Sequence, residues 1–165
     1  MRSLSYKIVR MLRITLIAVG KLKESYWRDA QAEYLKRLHP YAAIEVIELS
    51  DAPDSLGIEA ALEREGAAIL KALPAGVPVV LLDREGTQRS SEDNAAWLEQ
   101  SMTEGISHLV FVIGGSNGVS AAVQAASTMR LSLGSITLAH NLARIVMLEQ
   151  LYRAFKILRG EPYHK

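Results

Sequence analysis

The sequence predicts an α/β domain in which a mainly parallel sheet carries helices on both faces. Short apolar runs alternate with longer segments whose apolar residues recur at helical spacing, from one end of the chain to the other. Two of the short runs are apolar without interruption, which is typical of strands covered on both faces. Strands and helices that alternate in this way form parallel sheets, and 165 residues suit one domain.

The strand segments differ in how their apolar residues are arranged. The first is β-branched and closed by Gly20, whereas the second alternates apolar and polar residues, which predicts one less buried face. The next two are the continuous apolar runs, and a short fifth run precedes the last helix. The predicted strands span residues 12–20, 43–50, 77–83, 108–115 and 129–134.

Helical segments follow these strands, and turn residues mark where several of them begin and end. Pro40 follows the first, Pro74 and Gly76 follow the second, and a serine with an acidic first turn opens the third. Because Met11 would make a natural start, we expect residues 1–10 to be an extension ahead of a domain that spans residues 11–165. The predicted helices span residues 24–39, 58–73, 90–105, 120–128 and 139–159.

The composition excludes several kinds of site. There is no cysteine, which rules out disulfides, thiolate metal sites and cysteine nucleophiles. The four histidines are scattered singly, so we expect no metal site. No apolar run reaches the roughly 18–20 residues of a membrane span, and the first ten residues lack the pattern of a signal peptide. We therefore expect a cytoplasmic protein that does not contact a membrane.

The charge is unevenly distributed although its total is only +1. Residues 1–40 carry +6, residues 41–138 carry −8 and residues 139–165 carry +3. Basic ends around an acidic middle favour a polyanionic partner that both termini approach, but basic helices that merely flank an acidic one would give the same pattern. The modest totals argue against a strong nucleic-acid binder that acts alone.

Three loops are candidates for a ligand site, because ligands of open parallel sheets bind beyond the carboxyl ends of the strands. They are Leu82–Arg89, Gly114–Val119 and Leu133–Leu138. The glycines of "IGGSNG" follow the spacing GGxxG and not the GxGxxG of a dinucleotide site, which disfavours a nicotinamide or flavin enzyme. Glycines that allow close backbone approach suit any flat nucleoside ligand.

Single polar residues near these segments have simple structural interpretations. His108 begins an apolar strand and is expected to be structural, and His140 is expected to pack at a helix start more than to act chemically. Asp83 fits a turn ahead of Gly86 about as well as a ligand contact. Glu149 and Arg153 have the spacing of a helical ion pair.

The last predicted helix is apolar on nearly every side. A surface helix needs only one apolar stripe, so this helix needs cover from a second source. In a one-domain chain that source is most simply a second copy, and we expect a homodimer with Leu148 and Leu151 in its interface. A helix buried within one chain is the alternative. The apolar positions are Leu142, Ile145, Val146, Met147, Leu148, Leu151, Tyr152, Phe155, Ile157 and Leu158.

Four segments, in this order, resemble a known family: "ITLIAVGKLKESYW…EYLKRL" (14–38), "LLDREGTQRSSEDNAAWL" (81–98), "FVIGGSNGVS" (111–120) and "LSLGSITLAHNLARIVMLEQLYRAFKILRGEPYHK" (131–165). They are similar to the small SPOUT-class methyltransferases that act on N3 of a pseudouridine in 23S ribosomal RNA. The similarity covers essentially everything from Met11 onward. It implies S-adenosylmethionine as methyl donor, an obligate homodimer, and a C-terminal trefoil knot that strand and helix patterns alone do not suggest. Because the net charge is only +1 and the sequence shows no separate RNA-binding domain, we expect weak binding to free RNA and a need for the assembled ribosome.

The resemblance also implies roles for individual residues. His164 would accept or orient the proton, Arg153 would stabilise the imide anion, and Tyr163 would shape the substrate pocket. The tail with Tyr163 and His164 would reach the cofactor pocket of the partner copy. The implied cofactor contacts fall on the three selected loops: Leu82, Gly114, Leu133, Gly134, Ser135, Ile136, Thr137 and Leu138.

The sequence departs from the family pattern at four positions. Ala139 stands where a proline usually precedes the histidine, while Asn94, Asn141 and Lys165 replace the more usual Phe, Gln and Arg. None of these changes removes a group that the chemistry needs. Two other functions remain as alternatives, namely a catalytically silent RNA-binding dimer and a dinucleotide-dependent oxidoreductase.

Overall fold

Five strands form one sheet at the centre of the computed structural model, which describes residues 11–163. Their order across the sheet is β2-β1-β4-β3-β5, and every neighbouring pair is parallel. The prediction of a parallel sheet is therefore confirmed. The strands are β1 (Leu12–Val19), β2 (Ala42–Leu49), β3 (Val79–Gln88), β4 (His108–Ile113) and β5 (Met129–Ser132).

Helices cover both faces of this sheet, as the sequence predicts. The helix α5 lies between α1 and α3 on one face, and α2 packs beside α4 on the other. A short 3-10 helix (Asp54–Leu56) precedes α2 and is the one described element that the sequence did not indicate. The helices are α1 (Ser25–Leu38), α2 (Ile58–Ala72), α3 (Ser91–Thr103), α4 (Ala121–Ala126) and α5 (His140–Leu158).

The central strands β1 and β4 send alternate side chains into two separate cores. Leu16 packs with the face that carries α5, whereas Ile17 packs with the face that carries α2 and α4. Both side chains are fully buried, because successive residues of a strand point to opposite faces and both faces are covered. The less buried β2 lies at the edge of the sheet, as its alternating sequence predicts.

Strand β3 is longer than predicted and contains an irregularity. Its pairing with β5 shifts register between Leu82 and Thr87. The residues between them form a bulge, and pairing with β5 resumes at Thr87. This bulge contains most of the segment that the sequence predicts to be a loop. Gly86 lies against β5 so closely that a Cβ atom there would stand 2.6 Å from the backbone carbon of Arg130. Only glycine permits that approach, so the bulge needs a glycine at position 86.

The helix α5 is covered mainly by its own chain. Leu148 is 0% exposed and Leu151 is 4% exposed, and both belong to the core that α1, α3 and the sheet enclose. The expectation that these two residues form a dimer interface is therefore wrong, since neighbouring helices of the same domain supply their cover. Leu142 and Ile157 are the most exposed apolar residues of the helix, at 38% and 36%.

His108 has the structural role that the sequence predicts. It begins β4 at the amino edge of the sheet, where its Nε2 lies 2.9 Å from Oγ1 of Thr15 in a hydrogen bond. Burial and then the nearby charge of Arg13 lower the pKa of the imidazole below its ordinary value. In the described residues no helix is long and apolar enough to cross a membrane.

Candidate active site

A cavity of about 730 Å³ opens at the carboxyl ends of β3, β4 and β5. Its volume falls in the range of small-molecule sites, roughly 300–1,000 Å³. The walls come from the β3 bulge, from the glycine loop after β4, from the loop after β5 and from the first turn of α5. The cavity therefore lies where parallel strands bring their loops together, at the edge that the sequence predicts.

Most of the predicted cofactor residues meet in this cavity. Ser135 is the exception, because it does not line the cavity and is exposed. The walls are largely backbone and aliphatic side chain, and Ile136 holds its side chain 70% exposed at this site. The predicted residues in the walls are Leu82, Gly114, Leu133, Gly134, Ile136, Thr137 and Leu138.

The glycine loop after β4 is a tight turn, and its first glycine is required by the chain itself. The amide of Gly118 donates to the carbonyl of Gly115 at 3.0 Å, which closes the turn. A Cβ atom on Gly114 would lie 2.6 Å from the Gly118 oxygen and 2.6 Å from a methyl group of Val119. A bulky residue at Gly114 would therefore distort the loop before it excluded any ligand, so substitution at this position does not test cofactor contact.

The loop after β5 is held by a few polar contacts. The hydroxyl of Ser132 donates to the carbonyl of Gly134 at 3.0 Å and lies 3.2 Å from the Gly134 amide. Gly134 has a φ of 134°, which an L side chain rarely adopts. Arg84 donates to Oγ1 of Thr137 at 3.4 Å and so connects this loop with the β3 bulge. The contact between Arg84 and Thr137 was not foreseen, because it joins residues 53 positions apart.

Asp83 proves to be a structural acceptor in the cavity wall. Its carboxylate accepts from the Glu85 amide at 2.9 Å, the pattern of an Asp in a turn, and from Nε and Nη2 of Arg130 at 2.8 and 2.6 Å. The turn interpretation of the sequence is confirmed, and the salt bridge with Arg130 adds a link between β3 and β5.

The first turns of α5 are fixed by a buried arginine that sequence reasoning missed. Arg144 is 1% exposed; it donates to the Glu48 carboxylate at 2.5 Å and to the Gly20 carbonyl at 2.8 Å. One turn earlier, His140 begins the helix and lines the cavity. His140 therefore stands at the start of the helix, as the sequence predicts, and also has a place in the site. The one signal in the sequence was a cation within an otherwise apolar stretch of helix.

A second group of functional candidates lies near the other end of α5. The Tyr163 hydroxyl donates to the Glu149 carboxylate, and Arg153 donates to the same oxygen from Nε at 3.0 Å and from Nη2 at 2.6 Å. The Arg153 guanidinium carbon also lies 3.6 Å from the centre of the Tyr163 ring. Burial, followed by the hydrogen bond to Glu149, raises the pKa of Tyr163 to about 12. This phenol consequently stays protonated near neutral pH and acts as a donor.

One chain does not bring the two groups of residues together. Neither Arg153 nor Tyr163 lines the cavity. Arg153 follows His140 by thirteen positions on the same helix, and at about 1.5 Å per residue the two are roughly 20 Å apart along its axis. His164, the predicted proton acceptor, and Lys165 lie outside the described residues.

Comparison with protein families agrees with this geometry. A family model described as "Predicted SPOUT methyltransferase" matches residues 12–164. The chain belongs to the SPOUT methyltransferase family. Members of this family generally use S-adenosylmethionine, and membership supports RNA methylation as the general activity.

The cavity has properties that fit the family's cofactor. An exposed isoleucine, glycine-containing backbone turns and a mixture of aliphatic and polar side chains in the walls suit a flat nucleoside. In the described part of the chain, no group of three or more His, Asp or Glu residues could hold a metal ion. The SPOUT fold thus places its loops around a space suited to a nucleoside.

Proposed function

We propose that the protein methylates N3 of a pseudouridine in 23S ribosomal RNA, with S-adenosylmethionine as donor, as a cytoplasmic homodimer that acts on the assembled ribosome. Family membership and the nucleoside-sized cavity support a methyltransferase. The choice of substrate rests on the resemblance of the four sequence segments. The homodimer is supported by the separation between the cavity and the Arg153–Tyr163 group, which is roughly 20 Å along α5 in one chain. A second copy could bring its own Arg153 and Tyr163 to the cavity of the first.

The cavity residues have the task of holding and orienting the donor. S-adenosylmethionine supplies an electrophilic methyl group when it is bound. Leu133, Ile136 and Leu138 would cover its flat base, and the backbone of Gly134 and of the loop after β4 would contact its polar groups. Because the walls are held by the Ser132 and Arg84 contacts, little reorganisation is needed on binding, and most of the acceleration would come from positioning. The knot that the resemblance implies stays a prediction; it would add to the rigidity of these loops.

The residues near the end of α5 would act on the target base. N3 of the base carries a proton and is a poor nucleophile until that proton leaves. Arg153 would favour the anion through the N–H groups that Glu149 leaves free, since both bonds to Glu149 come from Nε and Nη2. Tyr163, with a pKa of about 12, donates a hydrogen bond and does not accept the proton. The resemblance gives that task to His164, since an imidazole is the commonest general base in proteins.

The proposal is tested by mass spectrometry of 23S ribosomal RNA from cells that lack the protein, together with methyl transfer by the purified protein to their ribosomes. Loss of one N3-methylpseudouridine that the protein restores in vitro is the expected result. A thermal-shift control compares S-adenosylmethionine with NAD, since only a ligand of the native state stabilises it. Stabilisation by NAD alone, or unchanged RNA in the deletion strain, would refute the proposal.

A further inference from the structure

A short basic segment lies beside the mouth of the cavity. Residues 20–24 connect β1 to α1, and they leave the sheet next to the loop after β4 because β1 and β4 are parallel neighbours. A Cβ atom on Gly20 would lie 3.2 Å from Nε2 of His140, which is a wall of the cavity. Lys21 and Lys23 lie one and three positions after Gly20, in the same short connection.

Both lysines lie on the surface, and the charge of Lys21 acts on the Glu48 carboxylate without a direct contact. Both side chains are exposed, and neither takes part in a salt bridge with the described residues, whereas six arginines and Lys156 do. Arg28 is engaged differently, since it donates to the carbonyls of Leu22 and Lys23 and braces the segment. Glu24 and Asp29 limit the net charge of this stretch, so contact with a polyanion would depend on the lysines themselves.

An exposed aromatic ring follows these lysines in the sequence. Tyr26 is 61% exposed in the first turn of α1, and its ring lies 5.2 Å from that of Trp27 at a tilt of 56°. Exposed aromatic rings beside cations are the usual means of holding single-stranded RNA, because an unpaired base stacks on the ring while lysines contact the phosphates.

Hydrogen bonds fix the segment to β2 and to α5. The Leu22 amide donates to the Glu48 carboxylate at 3.1 Å, and the same carboxylate holds Arg144 of α5. The Gly20 amide donates to the Leu49 carbonyl at 2.7 Å, while its own carbonyl accepts from Arg144. A surface that is ordered before binding loses little conformational entropy on binding.

We propose that Lys21, Lys23 and Tyr26 form a docking surface for the single-stranded RNA that flanks the target base. The two lysines contact neighbouring phosphates, and Tyr26 stacks on one unpaired base. This inference rests on the proposed function for its RNA and adds where the strand lies relative to the cofactor cavity. The single-stranded form follows from the chemistry, because a ring can stack only on a base that is not already covered in a duplex.

The test compares two matched double variants in binding to purified large ribosomal subunits over a series of salt concentrations. Lys21→Gln/Lys23→Gln should weaken binding roughly tenfold at about 0.1 M salt and reduce the slope of log K against log salt by about 1.4, the value for two phosphate contacts to a single strand. Lys36→Gln/Lys71→Gln is the control, because these exposed lysines lie in the last turns of α1 and α2, away from the cavity. Tyr26→Leu should weaken binding without changing the slope.

Calorimetric binding of S-adenosylmethionine and sedimentation accompany each variant, and both should be unchanged. Equal weakening by the control pair, or an unchanged salt slope, would overturn the docking surface. Loss of the dimer in the Lys21/Lys23 variant would overturn it as well, because a second copy would then occupy this face. Because binding is measured without turnover, a lysine-dependent salt slope without methyl transfer would refute the proposed function and leave the surface standing.

Discussion

The Tyr163 hydroxyl donates a hydrogen bond to the Glu149 carboxylate, which also receives two N–H groups of Arg153. One carboxylate thereby holds both of the described residues to which the family resemblance assigns catalysis. Tyr163 also packs against Tyr152, with ring centres 5.7 Å apart. The chain up to Tyr163 therefore folds back on its own helix, so a partner would meet one prearranged surface instead of a loose tail.

This cluster predicts a loss of stability in acid. Burial acts to raise the pKa of Glu149, but hydrogen bonds from Tyr163 and Arg153 outweigh it and hold the pKa below the ordinary 4.5. The folded state therefore binds fewer protons than the unfolded chain, so the contribution is complete above 4.5 and is lost as the pH falls through the lowered value. In urea denaturation between about pH 6 and pH 3, Glu149→Gln should lose less free energy of unfolding than the wild type. Equal losses of unfolding free energy in the two proteins over this pH range would contradict the prediction.

The exposed isoleucine of the cavity should contribute to cofactor binding. Ile136 is 70% exposed, so its substitution should leave folding intact, but a bound nucleoside would cover it. We expect Ile136→Ala to weaken S-adenosylmethionine binding about fivefold, roughly 1 kcal/mol, from lost apolar burial. Ile58→Ala is the matched control, because Ile58 is 65% exposed and does not line the cavity. Equal affinities of the two variants in calorimetry would remove Ile136 from the site.

The order of strands and helices, and the three loops of the cavity, followed from local patterns of apolar residues and glycines. These patterns report which residues are buried and where the chain turns, and both are local properties. The glycine loop after β4 was located correctly, but the physical reason for Gly114 was not, because its close neighbours became visible only in the folded loop.

Contacts between distant parts of the chain were not predictable in the same way. Arg144 and Glu48 are 96 positions apart, and the sequence around either residue does not indicate its partner. The apolar circumference of α5 likewise did not reveal its cover, because burial under α1 and α3 produces the same pattern as burial against a second copy. Leu148 and Leu151 were assigned to the wrong kind of surface for this reason.

The pair of Arg144 and Glu48 should be important for stability. Removing one partner of a buried pair costs about 3–5 kcal/mol, and the lower end applies here because the Glu48 side chain is 33% exposed. We expect Arg144→Met to lower the free energy of unfolding by about 3 kcal/mol. Glu48→Gln should cost at least as much in urea denaturation, because it leaves the buried Arg144 cation without its counter-charge. Similar free energies of unfolding for Arg144→Met and the wild type would show that the Arg144–Glu48 pair does not stabilise the fold.

The proposed dimer can be tested at the exposed residues of α5 and not at its core. Leu142→Arg/Ile157→Arg should keep the fold, since both side chains are more than a third exposed, but should give monomers in sedimentation if α5 forms the interface. Leu148→Arg should instead unfold the chain, because it places an unpaired charge in the core. An intact dimer of the folded double variant would exclude this face of α5 from the interface.

The last two residues should matter for turnover and not for folding. A variant that tests the tail without disturbing the fold must change only residues after Tyr163. Glu161 accepts hydrogen bonds from Tyr41 at 2.7 Å and from Lys156 at 2.6 Å, and Tyr163 donates to Glu149. We expect His164→Ala to leave unfolding and S-adenosylmethionine binding unchanged. Methyl transfer to ribosomes should fall by roughly 10²-fold, the scale of a positioned proton-transfer group.

The pH dependence of turnover separates this role from a simple contact. Because the pKa of Tyr163 is raised to about 12, the phenol does not accept a proton near neutral pH. If an imidazole is the general base, wild-type turnover should rise as the pH increases from acid toward neutral. The His164→Ala variant should lack that rise, whereas His164→Gln would restore a contact but not the pH dependence. A variant without His164 that turns over at the wild-type rate, with the same pH profile, would remove the residue from the mechanism.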